Sequence, residues 1–211
     1  MMGWLGFASR QSDRTSARME IPLFPLNAVL FPGGVLPLRI FEQRYLDMAA
    51  ACMKEERPFG VCLIVSGDET GAVAEPHPVG TLARITDWEM EQLGILQVTT
   101  RGEQRFRIVD KAVGPDNLWR AVVEIIANDS PLPFPAERQR LLPLLRRIAG
   151  EVGPGRIPEP RHYDDAEWVG YRITEILPVQ NLAKQKLLEL EDPISSLENL
   201  EKFLDQRQLL D

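Results

Sequence analysis

A run of apolar residues interrupted by four prolines, from Ile21 to Phe41, constrains the fold of this 211-residue chain more than any other segment. Proline has no backbone N–H to donate to a sheet, so a strand that contains it must be short, bulged or at an edge. We therefore predict strands at Glu20–Leu26 and Val35–Ile40, joined by a loop through Phe31–Gly34. Alternation along these strands places most of their apolar side chains in a core.

The rest of the first half predicts a small, strongly bent sheet or barrel built around one helix. From Phe41 onward apolar residues recur at spacings of three and four, which indicates a helix that ends before Pro58. Trp88 and Trp119 lie on strands that follow, and a tryptophan in a strand favours a core position. Those strands are bounded by turn residues and are predicted at Phe59–Val65, Gly80–Glu89, Ile95–Thr100, Arg105–Val113 and Trp119–Ile126.

A proline-rich segment at 129–135 marks the predicted boundary between two domains. Beyond it the period of the apolar residues becomes that of helices, and four helices are predicted. The predicted organisation is a flexible leader at 1–19, a β domain at 20–130 and a helical bundle at 131–211. The predicted fold class is therefore α+β.

Helix-capping residues mark where two of the four helices begin. Asp164 is predicted to cap the second, with Glu167 three residues on reaching back to it, which is the spacing of a capping box. Asp192 is predicted to cap the fourth, since Pro193 after it suits the first helical position.

The charge balance argues against nucleic acid and membranes as partners. The net charge is −7 at neutral pH, and a protein that neutralises phosphates needs a local basic excess. From Gly80 to Ala127, six basic residues stand beside seven acidic ones, which predicts a mixed, solvated surface. No stretch reaches the ~20 apolar residues that a membrane helix requires.

The two cysteines, Cys52 and Cys62, each lie inside an apolar segment. Their spacing fits neither a disulfide framework nor a redox pair, so two reduced, buried thiols are expected. Reduced thiols are typical of the cytoplasm, which is the predicted location.

The motifs of nucleotide-binding and hydrolytic enzymes are missing from the sequence. It contains neither GxxxxGK[ST] nor GxGxxG, so no nucleotide or other cofactor is predicted. Two histidines, His77 and His162, and two distant cysteines do not form a zinc motif, so no metal is predicted. His162 beside Asp164 or Asp165 would supply two members of a hydrolase triad, but no serine occupies a GxSxG motif. We predict no catalytic residue and keep a hydrolase as a third hypothesis.

Taken together, these segments resemble a known family, the N-terminal substrate-recognition domain of Lon proteases. The resemblance covers about residues 20–204 and is most specific at its beginning. The residues that carry it are IPLFPLN at 21–27, VLFPGG at 29–34, LPLRIFEQRY at 36–45, GTLARI at 80–85, GEQRFRI at 102–108 and WVGYR at 168–172.

The resemblance implies a PUA-like β-barrel with one helix, followed by an α-helical bundle. It also implies recognition of unfolded or tagged polypeptides, together with an associated protease or chaperone. The ATPase and Ser–Lys protease motifs of Lon do not occur among the 211 residues, so we expect no enzymatic activity. The leading hypothesis is a non-catalytic adaptor or chaperone-like accessory in protein quality control.

Two alternatives concern the binding surface and the ligand. Most apolar residues of the opening run, Phe31 among them, are expected in the core. The alternative is that Phe31, Pro32, Gly33 and Gly34 form a stiff, partly exposed loop that presents an apolar ridge to polypeptide. RNA binding is the alternative function, because PUA-like barrels include RNA modules, although the balanced charges of the strands disfavour it.

Overall fold

The computed structural model of the chain describes residues 18–126, 131–190 and 192–210. The predicted leader up to residue 17, and residues 127–130 at the predicted domain boundary, lie outside the described residues. Strands precede helices, with one helix inserted among the strands. The elements are β1 (Arg18–Leu26), β2 (Val35–Ile40), α1 (Gln43–Lys54), β3 (Phe59–Ser66), β4 (Glu75–Pro76), β5 (Val79–Gln92), β6 (Ile95–Val113), β7 (Trp119–Ile126), a 3-10 turn (Ala136–Arg138), α2 (Leu141–Val152), α3 (Ala166–Ile176), α4 (Asn181–Glu189) and α5 (Pro193–Gln206).

The strands form a closed ring. β1 pairs antiparallel with β7 and parallel with β3, and the remaining order is β7-β6-β5-β3, so both edges of the sheet meet at β1. Bulges on β5 and β6, where the register shifts, bend these long strands around the ring. β2 pairs with β6 outside the ring and β4 with β3. Closure removes most of the sheet edges at which other chains might pair.

Two apolar clusters lie on opposite faces of the ring strands: one joins side chains of β1, β3, β5, β6 and β7, and the other packs strand side chains against the apolar face of α1. Phe24 of β1 stacks on Tyr45 of α1 with 4.0 Å between ring centroids, and Phe59 of β3 lies next to them. Arg44, at the start of α1, forms an ion pair of 2.9 Å with Glu42. Arg44 also donates to the Asn117 carbonyl at 3.1 Å, which ties the start of α1 to the turn before β7.

Two sequence predictions about the strands are wrong in detail. β6 is one strand of 19 residues, where two were predicted with a break near Gly102. Gly102 stays within the strand because its missing side chain makes room for another segment, described below. The two-residue β4 fell inside a stretch predicted as loop.

The helices after residue 131 have an apolar core of their own, to which α2, α3 and α5 contribute. Asp192 caps α5 by accepting bonds from the N–H groups of Ile194 and Ser195, as predicted. The cap of α3 was predicted one residue too early, since Asp165 accepts the Glu167 N–H at 3.0 Å.

The architecture is a mixed one, a large antiparallel sheet with five α-helices among the described residues, in agreement with the predicted α+β class.

Candidate functional site: the seam and the hairpin

The predicted binding loop, Phe31–Gly34, lies between the ring and the helices, a contact region that we call the seam. The Phe31 side chain is 0% exposed. Its ring centroid is 5.2 Å from that of Tyr171 on α3, and Leu188 of α4 completes the cluster. Pro32 and Gly33 are half-buried and Gly34 is buried. The exposed apolar ridge predicted here is therefore wrong for Phe31, whereas polypeptide binding by the four residues stays a prediction.

Glycines allow this loop to lie flat on β6. The Gly33 N–H donates to the Gly102 carbonyl at 2.8 Å, and the Gly102 N–H donates to the Gly34 carbonyl at 2.9 Å. Gly33 has φ of +72°, which a residue with a side chain adopts only with strain. A Cβ at Gly102 would overlap the Phe31 carbonyl oxygen. The loop and the middle of β6 thus fit together only because Gly33 and Gly102 are both glycines.

Two side chains of α3 hold the loop from the helical side. The Arg172 Nη2 group donates to the Pro32 carbonyl at 2.7 Å and to Glu175 Oε1 at 3.1 Å. Burial raises the pKa of Glu175 to about 7, although the charges of Arg172, Lys184 and Arg156 and a bond from the Phe31 N–H act to lower it. A carboxyl with this pKa is partly protonated at neutral pH.

Arg105 of β6 crosses the seam further along. Its Nη1 group donates to the carbonyls of Leu188 at 2.8 Å and Leu190 at 2.7 Å, at the carboxyl end of α4. A cation is favoured there because the carbonyls at a helix end have no partners within the helix. Gln185 of α4 donates to the Val79 carbonyl at 3.0 Å. The seam is thus held by polar bonds as well as by Phe31.

A second candidate surface is the hairpin of β5 and β6. Trp88 is 59% exposed and Leu93, beside the turn at Gly94, is 95% exposed; Met90 lies exposed between them. The expectation that Trp88 belongs to the core is wrong, since its side chain is exposed although it pairs with the buried Val98. Trp119 is half-buried, and its indole N–H donates to the Ala74 carbonyl at 2.8 Å.

Grooves adjoin Trp88 on two sides. One of about 380 Å³ lies between Trp88 and β2, where Pro37, Leu38 and Arg39 line it. Another of about 390 Å³ lies between Trp88 and the end of α1. The same β2 residues also line a groove of about 250 Å³ that reaches the exposed Phe41. We call the combined area, from Phe41 across β2 to Trp88, Met90 and Leu93, the hairpin surface. Exposed apolar areas of this kind mark interaction sites on soluble proteins.

A model of the ATP-dependent protease La (LON) substrate-binding domain matches residues 20–206. The chain belongs to this family. The resemblance seen in the sequence is therefore confirmed over nearly its whole length. A substrate-binding domain is a recognition module, which is the coarse function that the match supports.

Solved structures share the fold of this LON substrate-binding domain. The Lon N-terminal domain protein from Xanthomonas campestris is 34% identical with a TM-score of 0.73, and the match covers 87% of this chain and 98% of that one. The N-terminal domain of the Mycobacterium avium complex Lon protease is 20% identical with a TM-score of 0.62, covering 89% and 97%. The Lon protease of Cytophaga hutchinsonii is 23% identical over 206 residues. That match covers 93% of this chain and 25% of the protease, so the chain spans about a quarter of its relative's length.

The remaining side chains that the sequence raised as candidates for chemistry include His162, Cys52 and Cys62. His162 is exposed and lies edge-on to Trp168, with 6.2 Å between ring centroids. Cys52 and Cys62 are free and buried, as predicted, and burial raises the pKa of the Cys62 thiol. In residues 18–126, 131–190 and 192–210, no three or more His, Cys, Asp or Glu side chains are grouped as metal ligands. No helix among these residues is long and apolar enough to cross a membrane.

Sequence reasoning did not find Arg105, Arg172 and Glu175, the polar residues of the seam. Arg105 and Arg172 both lie within segments that resemble Lon, yet neither received a role. The local pattern pointed the wrong way for Arg105: Arg105, Phe106 and Arg107 alternate, so the spacing that buries Phe106 predicts an exposed Arg105, yet both are buried. The carbonyl across the seam to which each arginine donates lies more than eighty residues away along the chain.

Proposed function

We propose that the chain is a non-catalytic polypeptide-recognition module that binds exposed apolar segments of client proteins on the hairpin surface. The observation that carries this proposal is the exposure of Trp88, Met90 and Leu93 on one hairpin, since large apolar side chains in water are costly unless a partner covers them. Membership of a substrate-binding family supports the choice of polypeptide as the partner.

The geometry of the hairpin surface suits an extended peptide. Tryptophan supplies a large contact area with few rotatable bonds, which makes it effective as a binding anchor. The grooves on both sides of Trp88 are open and lined by mixed apolar and polar residues, Leu38 and Arg39 on one side and Met53 and Arg57 on the other. Open grooves with such lining accept apolar side chains of different shapes, as a receptor for varied clients requires.

The test is peptide binding by a Trp88→Ala, Leu93→Ser double variant. A fluorescently labelled, unstructured, apolar peptide is titrated with the chain, and anisotropy gives the dissociation constant. Both residues are exposed, so the variant keeps its core. We expect binding to weaken at least about tenfold, because a central tryptophan anchor contributes 2 kcal/mol or more.

The matched control replaces two exposed apolar residues elsewhere, Val65→Ser and Leu182→Ser. That variant should bind as the original chain does. Equal dissociation constants for the original chain and the Trp88 variant would show that the hairpin surface is not the binding site.

The finer assignments are part of the same proposal. We infer that residues 20–130 are the PUA-like domain and 131–211 the helical bundle expected from the sequence; the closed ring and the separate cores of the two parts support this division. An adaptor or chaperone-like role in the cytoplasm, beside a protease or chaperone, is proposed with it. RNA binding stays the alternative function. It is disfavoured because several arginines of the ring form ion pairs with carboxylates, as in Arg120–Asp116 and Arg18–Glu124.

A further inference from the structure

One strand of the sheet keeps an unpaired edge. β2 pairs with β6 on one side, and in the part of the chain that the structure describes no strand pairs with its other side. The backbone N–H and C=O groups along such an edge are strong hydrogen-bonding groups without a strand to bond to. Their natural complement is the backbone of another extended chain.

The register between β2 and β6 shows which backbone groups lie on the open edge. In an antiparallel pair, hydrogen-bonded and non-hydrogen-bonded residue pairs alternate. The Gly102 N–H donates to the Gly34 carbonyl at 2.9 Å, and the same register continues to the end of β2 without a shift. Every second residue from Gly34 onward therefore directs its N–H and C=O groups toward β6. The residues between them, Val35, Pro37 and Arg39, direct theirs to the open edge.

The open edge adjoins a groove with an apolar lining. This groove of about 250 Å³ is lined by β2 from Pro37 onward and also by Phe24 and Tyr45, whose rings stack in the core. Leu38 packs against the same apolar cluster as these two rings. In an added strand, the residue opposite Leu38 points to the same face of the sheet as Leu38 does. An apolar side chain at that position therefore faces the groove.

β5 also has an unpaired edge, beyond its pairing with β3, but a side chain occupies its donor. Val98 of β6 pairs with both Leu38 and Trp88. Because the backbone groups of Val98 bond to β2, those of Trp88 face away from β6. The Trp88 N–H donates to Asp87 Oδ1 at 2.9 Å, and bulges interrupt the register of β5. Such features protect an edge from pairing, so β2 offers the better edge.

We propose that β2 binds an extended segment of the client polypeptide as an added strand of the sheet. This inference rests on the proposed function and adds the mode of binding to it. The Arg39 N–H donates to the client backbone, and the carbonyls of Pro37 and Arg39 accept from it. These bonds involve main-chain groups alone, so they suit clients of varied sequence. The groove adds a preference for an apolar residue opposite Leu38.

Pro37 favours a client strand over a second copy of this chain. Proline has no N–H, so one hydrogen bond to a client strand is lacking at Pro37. When two copies of β2 pair with each other, both strands contain the proline and two bonds are lacking. Proline on an edge strand is a common protection against pairing between identical chains. The edge thus disfavours its own copy more than it disfavours a client.

The first experiment tests the client backbone with the original chain. Labelled versions of the apolar peptide each carry one N-methyl group, at successive positions, and anisotropy gives each dissociation constant. In an added strand every second N–H of the peptide faces β2. N-methylation should therefore weaken binding about tenfold at alternate positions of the paired segment, because it removes a hydrogen bond and places a methyl group at the contact. It should change little at the positions between them.

The second experiment locates the added strand on β2. Solvent exchange of the Arg39 amide, followed by NMR, should slow at least about tenfold when the peptide is saturating, because its N–H gains a partner. This N–H lies unpaired on the edge of the free chain, so stabilisation of the fold alone does not slow its exchange.

A matched pair of variants tests the same donor. Arg39→Pro removes the outward N–H without removing a bond to β6, and it should weaken binding about fivefold. Arg39→Gln removes the same charge, keeps the N–H and should bind as the original chain does. Circular dichroism of both variants checks the fold, and the exchange of the Arg39 amide decides the question if Arg39→Pro does not fold.

Each outcome separates the inference from the proposed function. Equal effects of N-methylation at adjacent positions, together with weaker binding by the Trp88→Ala, Leu93→Ser variant, overturn the added strand and leave the hairpin surface standing. Failure of the original chain to bind any apolar peptide overturns both. Unchanged exchange of the Arg39 amide overturns the assignment to β2. A dimer in sedimentation that Arg39→Pro converts to a monomer would assign the edge to a second copy instead.

Discussion

Glu175 makes the free energy of unfolding depend on pH in a way that one substitution removes. Burial raises its pKa to about 7 from the ordinary value of 4.5, although the positive charges of Arg172, Lys184 and Arg156 act to lower it. Arg101 is in turn coupled electrostatically to Arg172. The folded chain therefore holds this proton more tightly than the unfolded chain does. The stability that protonation provides is fully present below about pH 4.5 and is lost as the pH rises through about 7.

The size of the effect follows from the two pKa values. Each tenfold change in acid strength corresponds to about 1.4 kcal/mol, so the change from 4.5 to about 7 amounts to about 3 kcal/mol. Glu175→Gln replaces the carboxyl by a neutral group of similar shape that resembles its protonated form. We expect the variant to match the original chain near pH 4.5 and to be more stable by about 3 kcal/mol at pH 8.5.

Urea unfolding followed by circular dichroism between pH 4.5 and 8.5 measures this difference. The control is Glu198→Gln, an exposed position where the hydrogen bond and charge of Lys202 lower the pKa of the carboxyl; this variant should gain nothing at high pH. A Glu175→Gln variant that is less stable than the original chain at pH 8.5 would refute the reasoning. It would show that the ion pair with Arg172 outweighs the cost of burying the carboxylate.

Three further substitutions test the fit of the seam and of one helix. Gly102→Ala should destabilise the chain by about 3 kcal/mol, because the new Cβ overlaps the Phe31 carbonyl. Arg105→Met should cost about 3 kcal/mol, because it leaves the carbonyls of Leu188 and Leu190 without their buried donor. Asp192→Ala should cost about 1 kcal/mol, because the first turn of α5 loses its cap. Urea unfolding at pH 7 measures all three.

The Gly102→Ala and Arg105→Met variants each have a comparison within the chain. Gly150→Ala lies in α2 with open space around it and should stabilise by about 1 kcal/mol, since alanine is the better helix former. Arg57→Met removes an exposed arginine and should change little. A Gly102→Ala variant as stable as Gly150→Ala would mean that the loop can move away from β6 at no cost.

Local sequence signals predicted most elements because the relevant forces are local. The four prolines placed β1 and β2, and the spacing of apolar residues placed α1 and α2. The errors occurred where distant residues decide. The sequence predicts a break in β6 near Gly102, but the partner of Gly102 is a loop about seventy residues earlier in the chain. The cap of α3 was missed by one residue because Asp164 and Asp165 are chemically alike and only the backbone distinguishes them.

The candidate sites were harder to predict for the same reason. For Phe31 the sequence leaves a core position and a partly exposed loop both open, because no local pattern shows that Tyr171 covers it. Trp88 is expected to be buried because tryptophan usually is, and nothing in the sequence shows that this side chain stays exposed beside the buried Val98. Burial of a single side chain depends on the tertiary arrangement, which alternation along a strand does not specify.

The order in which the chain is synthesised has a consequence for Phe31, because the residues that cover it come late in the sequence. Synthesis completes every strand of the ring by Ile126, but Tyr171 and Leu188, which cover Phe31, follow more than forty residues later. Until α3 and α4 emerge from the ribosome, a nascent ring displays an uncovered phenylalanine. A module proposed to recognise exposed apolar residues in other proteins thus passes, during its own synthesis, through a stage in which it resembles its clients.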